Sequence, residues 1–310
     1  LYSPADFRGF QELSTEYNFD GIEIKLGNDI NLNPGWEAGT TEPDNKWAPI
    51  QNFAGTFDGG MNSISGVYLQ SDADYLGVFQ EVSGTVKNLV LENSYIENTL
   101  TSGDTKNGTG SVVGQLSGTL QTVKSSAEVV LNGSGFAGGL AGVVHTAGAK
   151  IDNCWFAGSV SGKGSHHGML LGGTRIPEGG TGTPSATITN CLTTGTIEAR
   201  ANTGGLVGAA WSDTKLTIEK SLYAGEYVAA SDVASPWNIG TVLGNAKKNS
   251  TTATNVYVGN DTVSKVIGSN ESTSNSIASI YILNRETELT GVSGYKKTQL
   301  GFYIPEYNEN

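Results

Sequence analysis

Short apolar runs bounded by glycine recur along most of the chain. Two of them read Gly-Gly-Leu-Ala-Gly at 138–142 and Gly-Gly-Leu-Val-Gly at 204–208. The first glycines of successive runs lie 28 to 36 residues apart, and they are Gly77, Gly110, Gly138, Gly168, Gly204 and Gly240. A period of about 20 to 50 residues is typical of solenoid proteins, in which each repeat forms one turn of a stack. The glycine pattern therefore predicts a repeat fold.

Each repeat carries two further apolar segments after its glycine run. Residues 149–155, 186–192 and 216–222 alternate apolar and polar positions, and short runs such as Gly-Ser-Val at 158–160 follow them. Three short strands separated by glycine-rich corners predict an all-β, single-stranded, right-handed parallel β-helix with three short strands per coil. An array of β-sandwiches is the alternative. It is disfavoured because the repeats are too short to hold a whole sandwich.

The first 50 residues follow a different pattern. Ser3 as N-cap, Pro4 at the first helical position and Asp6 three residues after the cap predict a short helix. Its apolar positions are Phe7, Phe10 and Leu13. We expect one structural domain, with an N-terminal cap of helix plus strands at 1–50, β-helix coils at 51–269, and a C-terminal cap or the start of a linker at 270–310. No repeat is recognisable from Asn270 onward.

Composition narrows the classes of function and cellular site. The chain has 43 glycines but only 8 prolines, which suits many tight turns and excludes collagen. Its net charge of -12 disfavours nucleic acid as a partner. No apolar run approaches the ~20 residues that span a bilayer. We expect a monomer without membrane insertion, outside the cell, both freed of a signal peptide and excised from a longer protein.

The glycine runs at 138–142 and 204–208 resemble the GLUG motif of bacterial surface proteins. The Ile-x-Asn-Cys segments downstream and Gly-Thr-Phe-Asp-Gly at 55–59 are similar to companion elements of the same group. This group includes large adhesins and the non-catalytic N-terminal region of bacterial peptidases that cut immunoglobulin A. The resemblance covers about residues 1–260 and implies a β-helix on an extracellular bacterial protein, without an active site. The runs at 168–172 and 240–244 depart from the motif because they lack its second glycine.

The histidines do not have the spacing of a zinc peptidase. His145, His166 and His167 include no His-Glu-x-x-His arrangement. We interpret His166 and His167 as solvent-facing side chains on a loop, with a metal site as the alternative. The sequence predicts no metal and no cofactor.

Parallel β-helices also carry polysaccharide lyases and hydrolases, which need converging carboxylates or a basic residue. The candidate acids are Asp58, Asp152, Glu198, Asp213 and Glu219, and the candidate bases are Arg175 and Arg200. A turn in which Asp58 accepts backbone amides explains that residue. Asp152 and Glu219 lie next to inward-facing isoleucines and should face solvent. We therefore assign no catalytic residue, and keep a polysaccharide-acting lyase or hydrolase, with a groove along one face, as the alternative.

Two other residue types bear on function. Cys154 and Cys191 occupy matching places in successive repeats, where strands about 4.8 Å apart would permit a disulfide. We interpret them as a stacked pair of free thiols, and leave the bonded state open. The candidate binding residues are Trp36, Trp47, Trp211 and Trp237, since exposed aromatics grip sugars and proteins. Packing against the coil is the alternative. Taken together, the sequence predicts a non-enzymatic adhesion or structural module that presents corner loops to a host protein or glycan.

Overall fold

The strands of the protein stack in parallel along one axis through about seven turns. This computed structural model describes residues 1–101, 107–211, 213–247, 250–259, 265–271, 275–282, 295–297 and 303–305. Each strand of the stack pairs with the equivalent strand one coil away, so backbone groups are satisfied between coils. The predicted all-β parallel β-helix is confirmed.

Each coil contributes strands to four parallel sheets, which we name A to D in the order that a coil visits them. Sheet A contains Tyr75–Leu76, Gly108–Gly110, Phe136–Gly138, His166–Gly168, Ala201–Gly204 and Trp237–Gly240. Sheet B contains Phe79–Val82, Val113–Leu116, Ala141–Val144, Leu171–Thr174, Val207–Ala210, Leu243–Ala246 and Ile267–Asn270. Sheet D contains Tyr68–Ser71, Tyr95–Asn98, Glu128–Leu131, Ser159–Ser161, Thr196–Ala199 and Glu226–Ala229.

Sheet C is the longest sheet. Its strands are Glu23–Lys25, Ile30–Asn31, Thr56–Asp58, Ser63–Ser65, Thr85–Glu92, Thr119–Ser125, Ala149–Asp152, Trp155–Phe156, Ser185–Thr189, Leu192–Thr193, Lys215–Glu219, Leu222–Tyr223, Ser250–Val258 and Ser276–Ile282. Several coils give it two strands, because the chain bends at an asparagine such as Asn153 (φ 54°) or Asn190 (φ 55°). Asparagine tolerates this left-handed conformation better than most residues do, which accounts for its place in the Ile-x-Asn-Cys segments.

The glycine run forms a bend between two strands, and the coil therefore has more than the three strands expected. Gly138 ends a strand of sheet A, and Ala141 begins the next strand in sheet B. A Cβ at Gly138 would lie 1.8 Å from the carbonyl oxygen of Ala141. No larger residue fits so tight a bend, which explains why glycine returns once in every coil. The register aligns these glycines directly, with Gly110, Gly138, Gly168, Gly204 and Gly240 in one column.

The main core runs along the axis as columns of like residues. One column in sheet C consists of Val86, Leu120, Ile151, Ile188 and Ile218, all at most 1% exposed. Parallel in-register stacking places each apolar side chain on the equivalent side chain of the next coil. Burial of one such side chain contributes about 1.5 to 3 kcal/mol. The narrow core is therefore continuous from coil to coil.

A helix closes the N-terminal end of the stack. It spans Pro4–Leu13, and the Ser3 hydroxyl accepts a hydrogen bond from the backbone N–H of Asp6 at 3.2 Å, as expected of an N-cap. Phe7 and Phe10 are buried against the first coil, whereas Leu13 is 51% exposed. Two strands within residues 1–50 already belong to sheet C, so the stack begins inside the segment predicted as a cap.

Parallel pairing continues beyond residue 269. Ser276–Ile282 pairs with Ser250–Val258, although no repeat is recognisable there in the sequence. Tyr295–Lys297 and Tyr303–Pro305 form an antiparallel pair. The role of 270–310 as a cap or linker stays a prediction, since 283–294, 298–302 and 306–310 lie outside the described residues. Within the described part of the chain, no helix has the length and apolar character to cross a bilayer.

Candidate functional site

Sheets A and B meet on the outer side of the solenoid with only glycine between them. A Cβ at Gly142 in sheet B would lie 2.3 Å from the backbone nitrogen of Thr109 in sheet A. The equivalent atom at Gly208 would lie 2.8 Å from the carbonyl oxygen of His167. Because no side chain separates the backbones here, the two sheets form a narrow angle. Residues beside these glycines are brought together at its mouth.

This angle, which we call the crease, contains an apolar cluster separate from the main core. Phe136, Val143 and Ala209 are buried in it, and Tyr75 and Trp211 pack against them while remaining partly exposed. We define the crease by the side chains that line its two walls, which are Tyr75, Phe136, His145, His166, Arg175, Trp211 and Lys247. It runs along the axis across several coils.

The sheet A wall contains a stacked phenylalanine and histidine. Phe136 and His166 are in register on neighbouring strands, and their ring centroids are 4.7 Å apart. His166 is 8% exposed, and burial lowers its pKa to about 4, so the imidazole is neutral at pH 7. Its Nδ1 lies 3.1 Å from the carbonyl oxygen of Gly135. The Ser165 hydroxyl lies 2.9 Å from the same Nδ1, so this ring nitrogen contacts both a carbonyl oxygen and a hydroxyl group. Nε2 has no hydrogen-bond partner among the described residues.

The sheet B wall carries two cations on an indole ring. Arg175, Trp211 and Lys247 each follow the last residue of a sheet B strand in three successive coils. The guanidinium carbon of Arg175 lies 5.0 Å from the centroid of the Trp211 ring, and Nζ of Lys247 lies 4.7 Å from it. The His166 ring is 5.4 Å from the same indole. The Nε1 of Trp211 is buried and has no partner in the described part of the chain.

The crease therefore combines positive charge, aromatic surface and two unmatched polar atoms. His145 continues the sheet B wall, and its Nδ1 lies 2.8 Å from the carbonyl oxygen of Arg175. Cations next to an aromatic face and unpaired polar nitrogens are the groups that bind a polar ligand. Among the described residues, no group of three or more His, Cys, Asp and Glu side chains could hold a metal ion.

The four tryptophans singled out from the sequence lie in different settings. Trp211 lines the crease. Trp47 is 4% exposed, stacks on Phe7 with ring centroids 4.5 Å apart, and donates from Nε1 to the carbonyl oxygen of Val78, so it belongs to the main core. Trp237 opens the last strand of sheet A and is 58% exposed.

Trp36 lines a different concavity near the N-terminal cap. Residues 33–36 and 40–45 enclose about 430 Å³ there, with Glu42 and Asp44 on the wall. The Trp36 indole is half-buried, and its Nε1 donates to the carbonyl oxygen of Thr41 at 2.8 Å. The hydrogen-bonding group of this indole is therefore already used within its own loop.

The interpretation of His166 and His167 as solvent-facing loop residues is wrong. Both are buried in the strand His166–Gly168, which pairs in parallel with Phe136–Gly138. His166 faces the crease. His167 faces the interior, where its Nδ1 lies 3.2 Å from the carbonyl oxygen of Glu198 and burial lowers its pKa to about 4. Alignment of the two glycine runs would have placed His166 over Phe136 and revealed this strand.

The sheet B wall was missed by sequence reasoning, although the sequence contains a signal for it. His145, Arg175, Trp211 and Lys247 each lie seven residues after the first glycine of their run. A constant offset from the bend puts them in one column. Loops of unequal length elsewhere in the coils hide this regularity when the repeats are compared as a whole.

The candidate carboxylates do not converge. Asp58 accepts from the backbone N–H of Gly60 at 3.0 Å, which confirms its role in a turn. Asp152 accepts from the Thr189 hydroxyl at 2.6 Å. The other candidates are Glu198 in sheet D, Asp213 in a loop after sheet B and Glu219 in sheet C.

Arg200, one of the two candidate bases, is held by acids on both sides. Its guanidinium lies 3.3 Å from Glu198 and 2.6 Å from Asp232, and these carboxylates together with its hydrogen bonds raise its pKa despite partial burial. Arg175, the other candidate, lies in the crease.

Cys154 and Cys191 are free, fully buried thiols in adjacent coils. Their flanking residues pair as Asp152 with Thr189 and Trp155 with Leu192. Burial and the neighbouring Cys154 raise the pKa of the Cys191 thiol. A buried thiol of this kind behaves as a small apolar residue of the core.

Comparison with known proteins supports the fold but identifies no chemistry. No protein-family model matches the chain, and no curated protein matches it. A solved structure of a putative immunoglobulin A1 protease from Bacteroides ovatus matches with a TM-score of 0.60 and 18% identity, covering 100% of this chain and 92% of that chain. The two chains share a fold. At this identity the likeness concerns the β-solenoid and no particular residue.

Proposed function

We propose that the chain is a non-enzymatic module of an extracellular bacterial protein, in which the solenoid presents a binding surface and its corner loops to a host protein or a glycan. The crease is the observation that carries this proposal. It combines aromatic and cationic side chains with unmatched polar atoms, and it is built on strands rather than on loops. Sites on regular elements hold their groups more precisely than sites on loops do.

The glycine runs support an architectural reading of the GLUG-like sequences. The first glycine of the run makes room for the bend between sheets A and B, as Gly138 does. The last glycine lets the two sheets touch, as Gly142 does. Both functions concern the backbone. The fold shared with the putative immunoglobulin A1 protease supports the solenoid part of this proposal.

The corner loops supply a second surface. Between sheets B and C, residues 175–184 form a longer connection than 145–148 or 211–214 in the adjacent coils, and residues 178–183 are exposed. The register of sheet C is kept on both sides of this loop. Loops on a rigid scaffold are common carriers of recognition.

A paired binding and turnover screen tests the proposal. The purified chain is applied to arrays of glycans and matrix proteins, and is incubated separately with polysaccharides and with immunoglobulin A1. We expect saturable binding to at least one ligand and no new reducing ends or protein fragments. Cleavage of a polysaccharide or of immunoglobulin A1 by the chain alone would overturn the proposal, and so would the absence of any ligand on the arrays.

Cellular location needs a separate measurement. We expect antibodies raised against the chain to label intact producing cells, or to detect the protein in their culture medium. Labelling only after the cells are lysed would contradict an extracellular site.

A further inference from the structure

We infer that the crease binds an acidic glycan through the carboxylate of a uronic or sialic acid residue. This inference rests on the proposed binding function, and it names the site and the ligand class. The observations that carry it are the two cations on Trp211 and the two buried polar atoms beside them.

Lys247 of the crease is placed differently from Lys87 and Arg200. Lys87 contacts Glu23 and Asp58, both at 3.4 Å, and Arg200 is held between two acids. Lys247 instead approaches an indole, and it forms no salt bridge with any described residue. In a chain of net charge -12, this is a local positive site. A carboxylate is the group that such a site attracts.

The geometry separates the two charges along the axis. Arg175 and Lys247 lie two coils apart, which corresponds to about 10 Å in a parallel stack. Trp211 lies in the coil between them, and its ring contacts both side chains. The next position of this column is Glu271, which is exposed and marks the end of the positive stretch. A ligand with one or more carboxylates along an extended chain matches this spacing better than a single small anion does.

The buried polar atoms favour a ligand that carries hydroxyl groups. Nε2 of His166 and the Nε1–H donor of Trp211 have no partner among the described residues. A hydroxyl group both donates and accepts, so one hydroxyl can satisfy either atom. A buried polar atom without a partner is destabilising, and its satisfaction therefore favours binding. Sugars combine hydroxyl groups with apolar ring faces that pack on aromatic side chains.

Access to these atoms involves the two cationic side chains. Arg175 and Lys247 are half-buried and have long, flexible stems that cover the indole. A carboxylate at the mouth of the crease draws the charged ends toward itself and away from the ring. The indole and the imidazole behind it are then exposed to the sugar. The same groups thus act as cover in the free protein and as ligand contacts in the complex.

The test compares acids with their uncharged counterparts. Binding of the full chain to oligogalacturonate and to sialyllactose is measured by calorimetry, beside the methyl esters of both. We expect at least one acid to bind about ten-fold or more tightly than its neutral counterpart, which corresponds to the loss of one charge-assisted hydrogen bond. Affinity should fall as sodium chloride is raised, because the charges are at the surface.

Variants locate the site. Arg175→Gln combined with Lys247→Gln should weaken binding of the acid about ten-fold and leave binding of the neutral sugar unchanged. Trp211→Phe keeps an aromatic ring and removes the donor, and should weaken both. The matched controls are Lys124→Gln and Trp155→Phe, since Lys124 lies 4.2 Å from the Trp155 ring on sheet C and the Trp155 Nε1 already donates to Thr194. These should bind like the parent chain. Thermal unfolding of each variant checks that it is folded.

Each outcome decides a different point. Acid binding that the crease variants leave unchanged overturns the inference and leaves the proposed binding function standing. Equal affinity for acid and neutral forms, or tighter binding to a polyglutamate peptide, overturns the ligand class. No binding to any sugar, with a protein ligand found on the arrays, also overturns the inference alone. Cleavage of the probe overturns the proposed function.

Discussion

The N-terminal end of the solenoid and the crease both gather aromatic side chains, but they use them differently. At the N-terminal end, rings contact rings: Phe7 stacks on Trp47, and Phe10 meets Phe53 edge to face with centroids 5.8 Å apart. We call this group the aromatic cap, defined by Phe7, Phe10, Trp47, Phe53 and Phe57. The Trp47 indole donates to a carbonyl oxygen, and the cluster is part of the main core.

In the crease, the aromatic rings contact polar and charged groups instead. Trp211 lies against Arg175, Lys247 and His166, and its N–H has no partner in the described chain. The aromatic cap closes an apolar cross-section of the stack, which is a structural task. The crease leaves hydrogen-bonding capacity unused. The comparison teaches that the satisfaction of polar atoms separates packing aromatics from candidate binding aromatics, whereas residue type does not.

The largest expected effect is at the centre of the aromatic cap. Phe7→Ala removes a fully buried ring that contacts Trp47 and Phe57, and should lower the free energy of unfolding by about 4 kcal/mol. Chemical denaturation measures the change. Trp211→Ala is the matched truncation in the crease, and because this ring is partly exposed we expect a loss well below that of Phe7→Ala. Equal losses would contradict the distinction between the two regions.

The next largest effect is expected where sheets A and B are in close contact behind the crease. Gly142→Ala introduces a Cβ only 2.3 Å from backbone atoms of Gly108 and Thr109, which cannot move independently of the stack. We expect a loss of about 3 kcal/mol, because overpacking of a rigid core is destabilising. The measurement is again chemical denaturation. A Gly142→Ala chain as stable as the parent would show that sheets A and B are not in contact there.

Acid should weaken the crease region before the aromatic cap. The folded-state pKa values of His166 and His167 are about 4, below the value of 6.5 for an exposed histidine, so protons bind the unfolded chain preferentially. The stability that depends on keeping both imidazoles neutral is fully present above pH 6.5 and is lost as the pH falls from 6.5 toward 4. Each histidine should cost about 2 kcal/mol between pH 7 and pH 5.

His166→Phe tests this pH dependence while keeping the stack on Phe136. The variant should lose about half of the fall in stability that the histidine pair causes between pH 7 and pH 5. Hydrogen exchange at pH 5 should show faster opening at 166–168 than in the helix Pro4–Leu13, since residues 1–101 contain no histidine. An unchanged pH slope in the variant would contradict the burial of a neutral imidazole.

The smallest expected effect is of opposite sign. Gly9 lies in the N-terminal helix, and a Cβ there would meet no atom within 4 Å. Gly9→Ala should therefore raise the unfolding free energy by about 0.5 to 1 kcal/mol, because alanine restricts the unfolded chain and favours the helix. Thermal unfolding beside Gly142→Ala gives the comparison. A loss on Gly9→Ala would mean that the helix packs more closely than the structure shows.

The repeat, the parallel stack and the N-terminal helix could be predicted from the sequence, because each depends on local pattern. Glycine spacing gave the period, and Ser3 and Pro4 marked the helix start. The bend inside the glycine run could not be predicted, since it arises from the approach of Gly138 to a carbonyl oxygen three residues later. Hydrophobic pattern does not encode a contact between backbones.

The candidate site was only partly predictable. Trp211 was singled out as a binding residue, but its neighbours Arg175 and Lys247 lie in other coils and are brought to it by register. The burial of His166 also depends on register, because the strand before it supplies Phe136. Trp47 shows the converse limit. A loop tryptophan that looks available in the sequence is taken up by the aromatic cap.

The long connection at 175–184 has a practical consequence. It leaves and re-enters the stack without disturbing the pairing of sheet C on either side, and the entropic cost of a longer surface loop grows only with the logarithm of its length. A foreign peptide could thus be inserted at Gly179 or Gly182, both exposed and in the left-handed conformation. It would be displayed from the side of the solenoid, and the pairing of the strands would not change.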